Sequence, residues 1–354
     1  MENNMVLPIL LPALVAAALS LIGTPLILSI AHRRGWFDVP DDPRKIHTGA
    51  IPRLGGIAMF WAFILALLVS ALMGAFQLEA SLFVLLGGAA AIHAMGLADD
   101  FRNLRAYFKF GVQLLVAIAV AAAGYRFEYL PGFGSGIELG VFSWIITVVW
   151  IVGISNAINM IDGMDGLAGG ISLIAALSFG GLHLALGQTG GAILAFALTG
   201  AIVGFLFFNF PPARIFMGDS GSLFLGYCLS VLPLLGTAAY PREFSFLAAG
   251  TIVAIPVLDV FAAILRRRRR GQGVMTPDRE HLHHKLMDLG LDARQILALV
   301  YAAAIGLGVV GMLGTVLLPG ASVIALIAAL AIATAAFVWL HYAKKRLLSD
   351  RKQG

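Results

Sequence analysis

Asn156-Ala-Ile-Asn159-Met-Ile-Asp162-Gly163-Met-Asp165-Gly166-Leu-Ala-Gly-Gly170 lies between two apolar runs, Val141–Ile154 and Ile171–Leu186. Asp162 and Asp165 are three positions apart, and Asn159 and Asn156 continue that spacing upstream. Ionised carboxylates at the edge of hydrocarbon are costly unless a metal ion, a cation or a wet cavity receives them. In a helix each three-residue step falls back by roughly 60°. Asn159, Asp162 and Asp165 would then share one side, whereas Gly163 and Gly166 equally allow the helix to open into a loop. Taken alone, the stretch also reads as a polar, glycine-rich turn between two membrane helices.

Working outward, the flanking apolar runs recur almost from end to end. The 354 residues are 60% apolar and 12% charged, and mean hydropathy is strongly positive. That composition excludes an ordinary soluble domain and predicts an all-α polytopic membrane protein. The single cysteine, Cys228, sits in an apolar run, so neither a disulfide framework nor a cysteine metal site is available. The opening Met-Glu-Asn-Asn lacks the basic start of a signal peptide, so the first apolar run is expected to be a retained helix. Spans are expected at about 5–30, 55–75, 81–98, 106–123, 140–157, 167–187, 190–208, 221–238, 244–265, 296–318 and 321–343, each near the ~20 residues needed to cross. No internal repeat interrupts this series. The chain is expected to be one integral-membrane domain, 1–354, containing a basic and histidine-rich cytoplasmic loop at 266–295 and a basic tail at 344–354.

Eleven spans put the termini on opposite sides, and charge decides which is which. Of the 24 Lys and Arg residues, only Arg126 and Arg242 fall in the even-numbered gaps or at the N-terminus. The positive-inside rule therefore predicts an external N-terminus and a cytoplasmic C-terminus.

The chemically suggestive residues occupy the same basic gaps. The first carries Lys45, His47 and Arg53, then Gly55 and Gly56 at a helix start, where free amides are expected to receive phosphate. A basic anchoring loop is the alternative. The next gives Asp99-Asp100-Phe-Arg102-Asn-Leu-Arg105, with Lys109 beyond. Adjacent carboxylates point in different directions on a regular backbone, so one could hold a metal while the other takes a proton. Taken locally, a pair of acids ending a helix against arginines is more often decoration of the interface. A later gap reads Asn209-Phe-Pro-Pro-Ala-Arg214-Ile-Phe216-Met-Gly218-Asp219-Ser220-Gly221-Ser222. Asp219 is presented without crowding before a helix, and Phe216 is either a core anchor or a platform for stacking a base. The longest gap runs from Asp259 through Arg266–Arg270 to His281-Leu282-His283-His284-Lys285. The arginine run reads as an anchor on anionic lipid. His281 and His284, three apart, are expected to share a helical face and suit either phosphate or metal. With its single cysteine inside an apolar run, the chain's abundance of aspartate favours a hard ion such as Mg²⁺ on oxygen ligands, leaving the histidines for phosphate.

Together these stretches resemble the polyprenyl-phosphate N-acetylhexosamine-1-phosphate transferase family. The likeness runs from Lys45 to Lys285 in the family's order. Its most specific parts are Asn-Ala-Ile-Asn-Met-Ile-Asp-Gly-Met-Asp-Gly-Leu-Ala, Phe-Met-Gly-Asp-Ser-Gly-Ser and His-Leu-His-His. It looks like the branch that starts O-antigen, enterobacterial common antigen or wall teichoic acid. The peptidoglycan branch, phospho-N-acetylmuramoyl-pentapeptide translocase, typically has three consecutive histidines, and Leu282 interrupts them here.

The resemblance implies a bundle of ten or eleven helices in the inner (cytoplasmic) membrane. Its cytoplasmic cleft would take UDP-N-acetylglucosamine or a related UDP-N-acetylhexosamine, with undecaprenyl phosphate entering from the bilayer. It implies Mg²⁺, or Mn²⁺ in its place, with Asp219 as the foremost ligand and Asn159 a second. Asp99 or Asp100 would handle the lipid phosphate, and Asp162 and Asp165 would order the metal and nucleotide site. His281 joins these as a catalytic candidate. Phe216 and Asn209 look like uracil contacts, and Lys45, His47, Asn156, His283 and His284 like contacts to phosphate or sugar. Membrane lipids are expected around the chain, homodimerisation is left open, and no nucleic-acid partner is expected. The rival readings are the same chemistry on the muramoyl-pentapeptide nucleotide, and a transporter or scaffold. A transporter would place paired acids near the bilayer midplane rather than at one face.

Overall fold

A computed structural model describes residues 3–37, 51–75, 80–130, 137–235, 245–273, 280–317 and 322–350. The helices are α1 (Asn3–Arg34), α2 (Gly55–Leu72), α3 (Ala80–Arg102), α4 (Ala106–Ala122), α5 (Phe142–Ile161), α6 (Leu167–Ala185), α7 (Thr189–Asn209), α8 (Gly218–Val231), α9 (Ser245–Ile252), α10 (Ala254–Arg269), α11 (Leu282–Asp288), α12 (Ala293–Leu317) and α13 (Ser322–Asp350). A 3₁₀ turn, Leu232–Leu234, extends α8. The only departure from helix among the described elements is a two-residue hairpin between α4 and α5, pairing Tyr129 with Glu138.

All eleven apolar runs meet helix, but they do not all meet a full-length crossing. Among the described residues eight helices are long and apolar enough to cross a membrane, or nine if α9 and α10 count as one span. The run expected as a single helix at 244–265 is broken there by 81°. Pro256 lies in the first turn of α10 and has no N–H with which to continue the ladder from Ile252. The four-residue turn at 187–190 is as short as expected, with α6 ending at Ala185 and α7 starting at Thr189. The loop expected at 266–295 is partly helical: Arg266–Arg269 finish α10, and α11 and the start of α12 occupy its second half.

Helix α8 is the axis on which the site depends. Every residue from Ser220 to Val231 is buried, with α3 and α5 packed alongside. Small residues make this possible: a Cβ on Gly96 of α3 would lie 2.6 Å from Ser220 Cα. Close backbone approach through glycine is how helices associate where no hydrophobic driving force separates them from lipid. The outer faces carry exposed Leu14, Phe83, Leu115, Val149 and Phe207, as a surface solvated by acyl chains would.

Candidate active site

Consecutive antiparallel helices return the chain to the same end of the bundle at every second connection. Asp99 and Asp100 sit in the last turn of α3, Lys109 in the first turn of α4, Asn159 in the last turn of α5, and Asp219 in the first turn of α8. Around these ends lies a cleft of about 360 Å³, lined by Arg53, Asp100, Asn159, Asp162, Asp165, Asn209, Phe216 and Asp219 among others.

The decisive contacts cross between helices. Asp100 accepts the Asp219 N–H at 2.7 Å and the Ser220 N–H at 3.1 Å. It therefore caps the N-terminus of α8 from another helix, satisfying amides that have no intrahelical partner. Gly218, at φ 70°, is what lets the chain turn into α8 so close to Asp100. A side chain there would be strained and would meet the Asp100 carboxylate at 2.6 Å. Asp219 then has one carboxylate oxygen 3.1 Å from Asn159 Nδ2 and the other 3.0 Å from Lys109 Nζ. The same ammonium is 2.9 Å from Asp99 Oδ2, whose other oxygen accepts the Leu104 N–H at 2.6 Å.

The Asp162–Gly166 segment adopts the open alternative rather than a continued helix. Helix α5 ends at Ile161 and α6 starts after Gly166, which sits at φ 75°. Asp162 consequently faces the cleft half-buried, while Asp165 accepts the Ala213 N–H at 2.9 Å and so ties this loop to the one before α8. Burial pushes the Asp162 carboxyl up to about 7; the charge of Asp219 adds to this and that of Arg53 opposes it.

Several residues expected at the site serve structure first. Asn209 is buried, accepting the Gly166 N–H at 3.0 Å and donating to Ile215 O at 2.9 Å. Asn156 donates to Gln113 Oε1 at 2.7 Å and to Val152 O at 2.8 Å, and is not among the residues lining the cleft. The amides of Gly55 and Gly56, expected to receive phosphate, are taken by Phe216 O and Met217 O at 2.9 Å each. That ladder brings Phe216 to the cleft, half-buried. Lys45 and His47 lie outside the described residues.

The histidines form a separate shelf. His281 is not on a shared helical face with His284, because it precedes α11 in an extended conformation. Its ring instead lies parallel to that of His283, centroids 6.2 Å apart, and His283 meets His284 at 4.2 Å. His283 packs so tightly on the loop of Asp162 that a Cβ on Gly163 would lie 2.7 Å from its Cε1. Burial, reinforced by His284 and His281, drives its pKa down to about 3. Its two ring nitrogens are buried without hydrogen-bond partners. His281 Nδ1 lies 2.8 Å from Asp259 Oδ2.

Three of these residues carry no local mark of their role: Lys109 and Arg53 lie beside helix ends and Asp259 lies inside α10, and nothing in the sequence around a charge shows that it meets other elements at a cleft or shelf.

The oxygen-rich donor set of Asp219, Asn159 and Asp162 fits a hard divalent cation. Among the described residues no three His, Cys, Asp or Glu side chains converge tightly enough to hold an ion unaided. Mg²⁺ does not require that, since it is commonly held by one or two carboxylates together with substrate phosphates. The Lys109 ammonium between two carboxylates shows that this place already attracts positive charge.

Residues 82–237 match the model of glycosyl transferase family 4. A Bacillus subtilis protein named probable undecaprenyl-phosphate N-acetylglucosaminyl 1-phosphate transferase is 38% identical, over 85% of this chain and 83% of its own length. The decaprenyl-phosphate N-acetylglucosaminephosphotransferase of Mycobacterium tuberculosis is 33% identical over 82% of this chain and 78% of its own. The undecaprenyl-phosphate alpha-N-acetylglucosaminyl 1-phosphate transferase of Escherichia coli K12 is 32% identical over 80% and 78% respectively. With motifs, helix ends and overall similarity in agreement, the chain belongs to glycosyl transferase family 4.

Proposed function

We propose that this protein transfers N-acetylglucosamine-1-phosphate from UDP-N-acetylglucosamine to undecaprenyl phosphate, releasing UMP, at the cytoplasmic face of the inner membrane. One observation carries the reading: Asp100, Asn159, Asp162 and Asp219 meet Arg53 around a single cleft at one end of the bundle. The names of the relatives supply the lipid acceptor and the transferred group, and the UDP carrier comes from the family resemblance of the motifs.

An oxygen of the lipid phosphate attacks the β-phosphorus of the nucleotide sugar. The bond from that phosphorus to the bridging oxygen breaks, and UMP leaves with the electron pair. The second pKa of a phosphate monoester is about 6, so near neutrality the nucleophile is ionised without a strong base. What the site must supply is positive charge and alignment. Arg53 supplies charge from the α2 side, and Lys109 from α4. Asp219 and Asn159 are the residues that would hold Mg²⁺, or Mn²⁺, which when bound neutralises charge building on the transferring phosphate. Asp100 acts through the start of α8, holding Asp219 in place by its two backbone contacts. Phe216 offers a ring face for the uracil, and Asn209 fixes the loop that carries it. His281 and His284, on the shelf beside the cleft, are the histidines assigned to phosphate and sugar in this reading, with His283 as the packed plate between them.

The same reading places eleven crossings, an external N-terminus and a cytoplasmic tail, supported by the one-sided distribution of Lys and Arg. The test is to incubate purified protein with a panel of UDP-sugars and undecaprenyl phosphate. UMP and a lipid-pyrophosphate product should appear with UDP-N-acetylglucosamine. Turnover of the muramoyl-pentapeptide nucleotide instead would move the protein to the peptidoglycan branch, and release of no UMP at all would sink the reading.

A further inference from the structure

Lys109 joins three helices through one ammonium group. From α4 it reaches Asp99 Oδ2 on α3 at 2.9 Å and Asp219 Oδ2 on α8 at 3.0 Å. Asp219 is the residue best placed to hold a divalent cation, so the ammonium sits where that cation's charge is needed. The two compete for Asp219: a metal–oxygen bond of about 2.1 Å sets a second cation against a carboxylate that Lys109 already neutralises at Oδ2, so each weakens the other's hold.

The surroundings say which way Lys109 moves. Asp99 is the more enclosed partner, its side chain 10% exposed against 28% for Asp219. Its second oxygen is fixed by the Leu104 amide. Asp219 opens onto the cleft. A lysine is a point charge on a flexible four-carbon stem, so it can keep Asp99 as an anchor while releasing Asp219 toward the cleft. There the incoming anion is a diphosphate, and a freed ammonium gains a partner as it loses one.

We propose that Lys109 is a built-in counter-cation. Without nucleotide it neutralises Asp99 and Asp219 together and so weakens divalent-cation binding. When a nucleoside diphosphate arrives, Lys109 transfers from Asp219 to the phosphates, and the metal site opens. Metal and nucleotide therefore bind with positive coupling, which by linkage acts in both directions. The identity of the anion rests on the transferase reading, whereas the competition between lysine and metal does not.

The experiment measures Mn²⁺ binding by electron paramagnetic resonance on the full chain in detergent micelles, without turnover. Lys109→Met should bind Mn²⁺ at least about tenfold more tightly than the unmodified protein, and Lys109→Arg should not. Adding UDP should tighten Mn²⁺ binding in the unmodified protein and do so much less in Lys109→Met. Asp219→Asn should abolish binding in either background, which identifies the ion being counted. Thermal unfolding confirms that each variant is folded. Unchanged or weaker Mn²⁺ binding in folded Lys109→Met, or no Asp219-dependent binding in any form, overturns the proposal. The transferase assay is read separately: an unaltered Mn²⁺ affinity in Lys109→Met, with UMP still released by the unmodified protein, removes only the counter-cation. Tightened Mn²⁺ binding in a protein that releases no UMP removes only the transferase reading.

Discussion

The carboxylate of Asp259, fully buried at the middle of α10, holds His281 with one oxygen and the start of α11 with the other. His281 Nδ1 lies 2.8 Å from Oδ2, and the Leu282 N–H is 2.9 Å from Oδ1. The partners are 22 positions apart in sequence. A ring nitrogen engaged in this way fixes the orientation of the imidazole and leaves Nε2 for other work. The break between α9 and α10 brings Asp259 to this shelf.

Asp259→Asn keeps the shape but offers an N–H where an acceptor stood, which reverses the preferred tautomer of His281. Loss of the partner that orients a metal-ligating histidine commonly costs on the order of 10–100-fold, and a loss of about that order is expected for His281. The expected outcome is a fall of that size in UMP release, with KM for the nucleotide changing much less than kcat. Asp259→Glu should recover more activity than Asp259→Ala. Equal loss in all three variants would mean that the carboxylate only holds α11 in place.

Asp219 and Asp100 should fail in different ways. Asp219→Asn removes the charge facing the cleft, and turnover should drop by roughly 10²–10³ with little loss of fold, as for other charged contacts in a transition state. Asp100→Ala uncaps α8 and should cost about 0.5–2 kcal/mol of stability, with activity falling because Asp219 is no longer held. Thermal unfolding beside UMP release separates them. A stable, inactive Asp100→Ala would give Asp100 a direct part in the chemistry.

Acid should act on the fold through His283. Its folded-state pKa, about 3, lies below the ordinary 6.5, so the unfolded chain binds the proton first. The stability it contributes is complete above pH 6.5 and declines as pH falls through the window toward 3. His283→Phe keeps the packing against Gly163 without a titrating nitrogen. Thermal unfolding from pH 7.5 down to 4.5 should show a shallower acid loss for that variant, and parallel curves would remove His283 as the cause.

Gly163→Ala tests the contact between the shelf and the cleft. The added methyl would lie 2.7 Å from His283 Cε1 and 2.8 Å from Nε2, so the ring must move. Overpacking of this kind typically costs 1–3 kcal/mol, roughly. We expect both a lower Tm and a loss of turnover, part of which Gly163→Ala combined with His283→Ala should restore in stability.

Orientation is open to labelling. In a Cys228→Ala background, a cysteine at Thr189 should react with an impermeant reagent from outside intact cells, and one at Gly273 should react only after lysis. The reverse pattern would place the cleft on the side without UDP-sugars.

Much of this was legible from the chain alone because it depends on properties local to the chain. An apolar run such as Thr189–Asn209 has to close its own hydrogen bonds in hydrocarbon, so its helix follows from composition. The sidedness of Lys and Arg is likewise a matter of counting, and Asp99, Asp100, Asp162 and Asp219 stand out because charge is expensive beside such runs. The sequence alone determined the class, most of the helix positions and the carboxylates that gather at one end of the bundle. It could not determine their partners. Whether Gly163 bends the chain or continues a helix depends on the loop before α8 being there to receive Asp165. That Lys109 stands between Asp99 and Asp219, 110 positions from the latter, follows from how closely α3, α4 and α8 pack. That Asn209 is spent on backbone groups follows from the same packing. Helix formation is settled within a few residues, but the meeting of side chains from different helices is settled only when small residues such as Gly96 let those helices approach. Tertiary structure decided the site for that reason.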